Sequence, residues 1–250
     1  MQEFFIPCDG IQLHAKLDKP QGREKCPLVI VIHGFTGHME ERHIVAVCQA
    51  MNDIGFATLR AEMYGHGQSG GRFEDHTLYK WVTNALAVVD YAKTLDFVTG
   101  LVLCGHSQGG LLTMLVGGMK ADDFQALIPL SPAWMIPDGA RSGMGFLPGM
   151  NFDPDHIPET LEVWGGRRLS GNYVRVAQTL HVEDEIARFK KPVLIVQGDA
   201  DDTVPLSYAQ RAAELYADAR LVLVPGDTHC FDLHLEQMTS AVRDFLLTLS

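Results

Sequence analysis

A serine between two glycines, in the stretch Gly105-His106-Ser107-Gln108-Gly109, has the G-x-S-x-G spacing of an activated nucleophile. The apolar residues 101–104 before it have strand character, and residues 110–116 after it have the composition of a helix. A sharp turn from strand to helix needs small neighbours, because the backbone of the central serine is strained and its Oγ must stand exposed above the sheet. The spacing therefore predicts that Ser107 is a nucleophile rather than part of a plain glycine-rich turn.

A serine nucleophile needs a base, and the base needs an acid that orients it. Both are expected after the serine in the chain. His229 follows the predicted strand 221–224 and is the expected base, whereas His234, expected in the closing helix, is the weaker candidate. Four aspartates compete for the role of the acid: Asp199, Asp201, Asp202 and Asp227. The pattern G-x-x-D-x-x-V-P after the predicted strand 193–196 selects Asp201, with Asp202 as the main alternative.

Two main-chain N–H groups are expected to stabilise the oxyanion that forms when the serine attacks. One belongs to Gln108, the residue after the nucleophile. The other belongs to Phe35, in the loop His33-Gly34-Phe35-Thr36-Gly37 that follows the apolar strand 28–32. Because both donors are main-chain groups, side-chain substitution tests them poorly.

A second glycine motif, residues 65–70, matches G-x-G-x-x-G and follows the predicted strand 57–60. A dinucleotide site would need a helix that opens at the glycines and an acidic residue ~20 positions further on at the end of a strand. No helix opens there, so we predict a tight loop beside the active site and no nucleotide cofactor. The histidines do not form a metal-binding spacing, and no metal site is expected.

Strand and helix patterns alternate along the chain, which predicts an α/β fold with a mostly parallel sheet and helices on both faces. Predicted strands cover 4–7, 12–17, 28–32, 57–60, 101–104, 126–130, 193–196 and 221–224, and predicted helices cover 42–54, 78–95, 208–216 and 239–249. The alternation stops between 131 and 187, a stretch rich in proline, glycine and aromatic residues. We predict that 131–187 is a cap inserted into a core formed by 1–130 and 188–250, because ligands bind at the carboxyl ends of parallel strands.

Composition narrows the possible partners. The chain has 250 residues, 46% of them hydrophobic, and a formal net charge of −11, which disfavours nucleic acid and anionic membrane surfaces. No apolar run is long enough to span a bilayer, and Met1–Pro7 lacks the features of a signal peptide. Five cysteines without C-x-x-C spacing indicate reduced thiols, so we expect a cytoplasmic protein. A homodimer is left open.

Taken together, the motifs resemble those of the α/β-hydrolase superfamily across the whole chain. Within it, the inserted segment is similar to the cap of bacterial cinnamoyl (feruloyl) esterases, on the stretches 153–158 (DPDHIP) and 172–178 (NYVRVAQ). The resemblance implies a hydroxycinnamate ester as substrate, and Asp138 and Tyr173 as contacts of its phenolic hydroxyl. One departure is that Arg60-Ala61-Glu62 replaces the usual Arg-x-Asp, and we expect this to leave catalysis untouched.

Aromatic side chains of the predicted cap suit a planar acyl group by stacking and burial, although the same residues could form a small core of the cap itself. They are Trp134, Phe146, Trp164 and Tyr173. The sequence thus predicts a serine carboxylesterase that acts on feruloyl-type esters without a cofactor. Two alternatives stay open: an esterase of the monoacylglycerol lipase or short-chain acyl type, and a non-catalytic ligand-binding module on the same fold. The alcohol half of the substrate is not given.

Overall fold

An eight-stranded, mostly parallel sheet forms the centre of the computed structural model, which describes residues 1–144 and 150–249. Its strands are β1 Gln2–Cys8, β2 Ile11–Asp18, β3 Cys26–Ile32, β4 Ala57–Ala61, β5 Val98–His106, β6 Phe124–Leu130, β9 Val193–Gly198 and β10 Ala219–Val224. They run in the order β1-β2-β4-β3-β5-β6-β9-β10 across the sheet. Only the pairings β1–β2 and β2–β4 are antiparallel among these described strands.

The opening hairpin forms as its turn residues predict. Cys8 pairs with Ile11 across a two-residue turn in which Asp9 has φ 45° and Gly10 has φ 79°. Positive φ at both central positions gives a turn whose twist matches that of the flanking strands, and Asp-Gly is among the sequences that adopt it readily. The predicted antiparallel pair is therefore confirmed.

Helices cover both faces of the sheet. Their bounds are α1 Arg42–Asp53, α2 Leu78–Lys93, α3 Gln108–Met119, α4 Met135–Ser142, α5 Asn172–Gln178, α6 Val182–Arg188, α7 Leu206–Leu215 and α8 Leu235–Leu247. Alternate side chains of β3 divide between the two faces: Val29 and Val31 pack with α1 and α8, whereas Leu28 and Ile30 pack with α2 and α3. This period of two, with both sets buried, explains why the central strands have continuous apolar sequences.

The predicted helices and strands of the core are confirmed, with ends that move by a few residues. The largest shift is at the closing helix, which begins at Leu235 rather than at 239. His234 therefore precedes this helix instead of lying in it, and the expectation for that residue was wrong. Such ends are set by local capping, which hydrophobic periodicity does not report.

The chain between β6 and β9 contains α4, α5, α6 and a short antiparallel pair formed by β7 Thr160–Val163 and β8 Arg167–Ser170. Helix α4 packs on α5, whereas α6 packs on the core helix α3. The approach of α6 is close, because a Cβ on Gly118 would lie 2.3 Å from the carbonyl oxygen of Glu185. The division of the chain into core and cap at 131–187 stays a prediction. Phe146 lies outside the described residues.

Within residues 1–144 and 150–249, no helix combines the length and the apolar character that crossing a membrane requires.

Candidate active site

Ser107 occupies the turn between β5 and α3, with φ 57° and ψ −118°. Its N–H donates to the carbonyl oxygen of Leu130 at 2.9 Å, which ties the turn to the end of β6. The flanking glycines have no space for a side chain: a Cβ on Gly105 would lie 2.2 Å from the carbonyl oxygen of Gly109, and one on Gly109 would lie 2.3 Å from that of Ile32. The turn is strained, and it can form because glycines stand on both sides of the serine.

His229 and Asp201 meet beside this turn. The Nδ1 atom of His229 lies 2.8 Å from Oδ2 of Asp201, whose side chain is 1% exposed. The other carboxylate oxygen, Oδ1, accepts from the main-chain N–H groups of Thr203 and Val204 at 2.9 and 2.8 Å. A buried carboxylate held in this way fixes one tautomer of the imidazole, with the proton on Nδ1 and Nε2 available as a base.

The three competing aspartates have other partners. Asp202 is exposed and accepts from the hydroxyl of Thr203. Asp199 accepts from the N–H of Gly226 at 2.6 Å, and buried Asp227 accepts from the N–H groups of Thr228, Leu233 and His234. Of the four candidates, Asp201 is the one that contacts His229. Asp199 and Asp227 instead stabilise loops through hydrogen bonds to main-chain N–H groups.

Ser107 and His229 line one open cavity of about 410 Å³. The other lining residues are Gly34, Phe35, Thr36, Gly37, Glu41, His106, Trp164, Asp202, Thr203, Thr228, Cys230 and Asp232. Among the described residues of this lining, three carry carboxylates and none is a lysine or arginine, so this part of the entrance is acidic. Burial raises the pKa of Glu41, the most enclosed of the three.

The loop that carries Phe35 crosses directly over the nucleophile. A Cβ on Gly34 would lie 3.2 Å from the Cβ of Ser107, so any side chain at this position would crowd the nucleophile. On the other side, Gln108 is the first residue of α3, where main-chain N–H groups have no acceptor within the helix. Both predicted oxyanion donors therefore lie on elements next to Ser107.

The four residues predicted to bind substrate do not all line the cavity beside Ser107. Trp164 is 45% exposed and lines the cavity. Tyr173 is fully buried, and its hydroxyl donates to Oε1 of Gln108 at 2.5 Å. Trp134 is also buried, with the Arg211 guanidinium 4.5 Å above its ring.

Asp138 has three charged or polar partners of its own. Its carboxylate lies 3.2 Å from Nη1 of Arg141, 3.5 Å from Nη1 of Arg211 and 3.2 Å from the hydroxyl of Tyr208, which donates to it. The carboxylate is therefore already engaged by α4 and α7. A phenolic hydroxyl would have to share it with these groups.

Residues 65–70 form a tight loop whose partner is Glu62. The N–H of Gly65 donates to the carbonyl oxygen of Gly70 at 2.9 Å, and that of Gln68 donates to Oε2 of Glu62 at 2.6 Å. A Cβ on Gly67 would lie 1.9 Å from the carboxyl carbon of Glu62. Because Gly67 has no side chain, the carboxylate of Glu62 can lie against this loop. Within the described residues, no group of three His, Cys, Asp or Glu side chains could hold a metal ion.

Sequence reasoning missed three histidines that contact this site. His33, His66 and His106 are each at most 5% exposed, and each makes a hydrogen bond to the main chain of a residue that lines the cavity. The available signal was their position, because each adjoins a glycine of one of the motifs.

Comparison with known proteins gives two family matches. Residues 23–151 match the model described as serine aminopeptidase, S33, and residues 163–250 match the model described as TAP-like protein. Among solved structures, Est1E from Butyrivibrio proteoclasticus with ferulic acid bound is 60% identical, with 98% of each chain covered and a TM-score of 0.96.

More distant relatives have varied descriptions. A monoacylglycerol lipase of Mycolicibacterium smegmatis is 25% identical, covering 81% of this chain and 80% of its own length. The human protein ABHD12B is 25% identical over 90% of this chain, and the match spans 61% of that protein's length.

Proposed function

The chain belongs to the α/β-hydrolase family described as serine aminopeptidase, S33, and is a serine hydrolase; from this premise we propose that it is a carboxylesterase for hydroxycinnamate esters of the feruloyl type. The observation that carries the proposal is the 60% identity, over 98% of both chains, to Est1E with ferulic acid bound. Ferulic acid is the acid that hydrolysis of a feruloyl ester releases.

In the mechanism that this proposal implies, Oγ of Ser107 attacks the ester carbonyl carbon and its proton passes to Nε2 of His229. Asp201 holds the imidazole in the required tautomer. The N–H groups of Phe35 and Gln108 stabilise the negative charge on the carbonyl oxygen.

The C–O bond to the alcohol then breaks, and the alcohol leaves with the proton that His229 carries. Water, deprotonated by His229, attacks the acyl-enzyme, and the carboxylic acid is released as Ser107 regains its proton. Apart from the leaving alkoxide, which accepts its proton from His229, every proton donor and acceptor in this reaction is a group of the chain or water.

For substrate binding, we propose that Trp164, on the wall of the cavity, packs against the aromatic acyl group. Asp138, Trp134 and Tyr173 remain proposed contributors to the acyl site. Buried Tyr173 supports the wall through Phe35, which lines the cavity and whose ring centroid lies 5.7 Å from that of Tyr173.

The test is to measure kcat/KM for methyl ferulate, 4-nitrophenyl butyrate and a monoacylglycerol, with wild-type protein and Ser107→Ala. We expect ferulate to be preferred, and kcat to fall about 10⁴-fold or more in the variant. Ser207→Ala, at an exposed serine of α7, is the matched control and should keep wild-type rates.

The rival functions give different results. A preference for the aliphatic esters would replace the hydroxycinnamate assignment with that of a lipase-like esterase, as in the M. smegmatis relative. Failure of wild-type protein to react with a fluorophosphonate would favour a non-catalytic ligand-binding module.

A cytoplasmic location and a homodimer are two further proposals. All five cysteines are free thiols, which supports a reducing compartment. Light scattering of the purified protein tests the assembly, and a monomer mass would reject the dimer.

A further inference from the structure

Two buried histidines contact successive carbonyl groups of the loop that crosses over Ser107. The Nδ1 atom of His33 lies 2.8 Å from the carbonyl oxygen of Gly34. Nε2 of His66 lies within hydrogen-bond distance of the carbonyl oxygen of Phe35. The two rings are neighbours, with centroids 5.3 Å apart. The peptides on both sides of the Phe35 Cα atom are therefore each contacted by an imidazole.

The tautomer of His33 follows from its second contact. The main-chain N–H of Met63 donates to Nε2 of His33 at 3.0 Å, so Nε2 must carry a lone pair and the ring proton resides on Nδ1. Burial lowers the pKa of His33 to about 3, which keeps the ring neutral near pH 7. His33 can therefore only donate from Nδ1, and Gly34 is the acceptor.

The carbonyl that His33 contacts belongs to the same peptide group as the predicted oxyanion donor. The C=O of Gly34 and the N–H of Phe35 lie in one plane and point in opposite directions. A donor fixed on the oxygen therefore fixes the direction of the N–H. It also polarises the peptide and makes the N–H a stronger donor. The N–H of Gly37 donates to the same oxygen at a longer distance, 3.2 Å.

His66 lies between two carbonyl oxygens, with Nε2 facing that of Phe35 and Nδ1 2.9 Å from that of Tyr64. Because burial lowers the pKa of His66 and a neutral imidazole has one N–H, only one of the two oxygens can accept from it, and a role at the following peptide requires the proton on Nε2. The loop around it is fixed to Glu62 through the N–H of Gln68, and the hydroxyl of Ser69 donates to the carbonyl oxygen of Glu62 at 2.6 Å. The loop is thus a rigid support that presents an imidazole to the oxyanion loop.

We propose that His33 and His66 are positioning residues that aim the Phe35 N–H at the carbonyl oxygen of the ester in the transition state. The inference rests on the proposed function, since it assigns a task within the same reaction. Neither ring is proposed to touch the substrate. Both act through the Gly34–Phe35–Thr36 main chain.

A pair of matched substitutions separates positioning from mere packing. In His33→Asn the side-chain amide can occupy the place of Nδ1 and donate to Gly34, whereas in His33→Gln the amide reaches the place of Nε2, beside Met63. We expect kcat for 4-nitrophenyl butyrate to stay within about threefold of wild type in His33→Asn. In His33→Gln it should fall about 10²-fold, with KM unchanged, as when an oxyanion donor is lost.

If substitutions at position 33 prevent folding, a second pair of substitutions at position 66 tests the same proposal. His66→Gln retains a donor at the place of Nε2 and should keep most of the activity, whereas His66→Asn retains one only at the place of Nδ1 and should lose kcat. If both members of each pair lose kcat equally at matched melting temperatures, or if neither loses it, the proposal is overturned.

A measurement that needs no turnover distinguishes a failure of this proposal from a failure of the proposed function. ¹⁵N NMR of wild-type protein at pH 7 should show His33 protonated at Nδ1. Protonation at Nε2 instead would contradict the proposal whatever the enzyme hydrolyses. Conversely, a wild-type protein that hydrolyses no ester, but shows the Nδ1 tautomer, would reject the proposed function and retain the described contact.

Discussion

The Nε2 atom of His106 lies 2.9 Å from the main-chain carbonyl oxygen of His229, across 123 positions of the chain. The hydroxyl of Ser131 donates to the same oxygen at 3.2 Å. Burial holds the pKa of His106 well below its usual range, so its ring is neutral and donates from Nε2. The residue next to the proposed nucleophile thus fixes the main chain of the proposed base.

Replacement of these two donors should have graded effects. Ser131→Ala removes the longer hydrogen bond and leaves that of His106, so we expect kcat to fall less than about tenfold. His106→Leu removes the shorter one and frees the His229 loop, and a displacement of ~1 Å can cost about 10² in rate. Steady-state kinetics with melting curves measure both. Wild-type kcat in both variants would mean that the carbonyl contact does not position the base.

Asp201 and Asp202 are adjacent carboxylates with different expected roles. Asp201→Asn cannot hold the imidazole with its proton on Nδ1, and we expect kcat to fall about 10³- to 10⁴-fold. Asp202→Asn, at an exposed side chain, should keep kcat within about threefold of wild type. The comparison uses methyl ferulate at saturation. If kcat falls further in Asp202→Asn than in Asp201→Asn, Asp202 is the acid instead of Asp201.

Tyr173→Phe distinguishes two tasks for one hydroxyl. If the hydroxyl orders Gln108, as their 2.5 Å contact indicates, kcat should fall several-fold for methyl ferulate and for methyl cinnamate alike. The resemblance to cinnamoyl esterases instead assigns the hydroxyl to the phenolic group of the substrate. In that case methyl cinnamate, which has no such group, would be hydrolysed at the wild-type rate. The ratio of the two kcat/KM values is the measurement.

Acid should destabilise the fold through its buried histidines. Burial lowers the pKa of His33 and His76 to about 3 and that of His43 to about 4, so these rings stay neutral in the folded protein while the unfolded chain takes up protons below about pH 6.5. Their contribution is complete above about pH 6.5 and is lost as the pH falls towards 3 to 4. The slope approaches about 1.4 kcal/mol per pH unit for each histidine.

Urea unfolding at pH 7.0 and 5.5 measures this loss. In His76→Phe the difference in unfolding free energy between the two pH values should be smaller by about 1 kcal/mol than in wild type. A matched replacement of exposed His156 should leave the difference unchanged. A wild-type free energy that does not change between the two pH values would contradict the expectation.

Much of this fold could be predicted because local sequence patterns determine it. The central strands are apolar on both faces, and the opening hairpin carries Asp9-Gly10 where φ is positive. The strained turn at Ser107 needs glycine on both sides, and this requirement produces a recognisable sequence motif. The four aspartates could not be separated by composition alone, but their places relative to the strand end favoured the one that contacts His229.

The supporting contacts could not be predicted, because they join distant parts of the chain. Glu62 was expected to be a neutral departure from a motif. In the structure its Oε2 lies 2.9 Å from Nδ1 of His14, whose Nε2 lies 2.6 Å from Oε1 of Glu3. The first hairpin therefore braces the loop that carries His66. Such a chain of contacts depends on tertiary register, which no local periodicity encodes.

The segment between β6 and β9 leaves and re-enters the sheet at neighbouring strands, since Leu130 pairs with Val196 in parallel. A parallel connection must cross from one end of the sheet to the other, and α6 makes that crossing against α3. The sheet is closed here by β6, β9 and the N–H of Ser131, which donates to the carbonyl oxygen of Val196 at 2.8 Å, so we expect the stretch that follows, up to residue 180, to be exchangeable as a unit. A chimera that carries the corresponding stretch of a relative should unfold at nearly the parental temperature and take its ester preference from the donor.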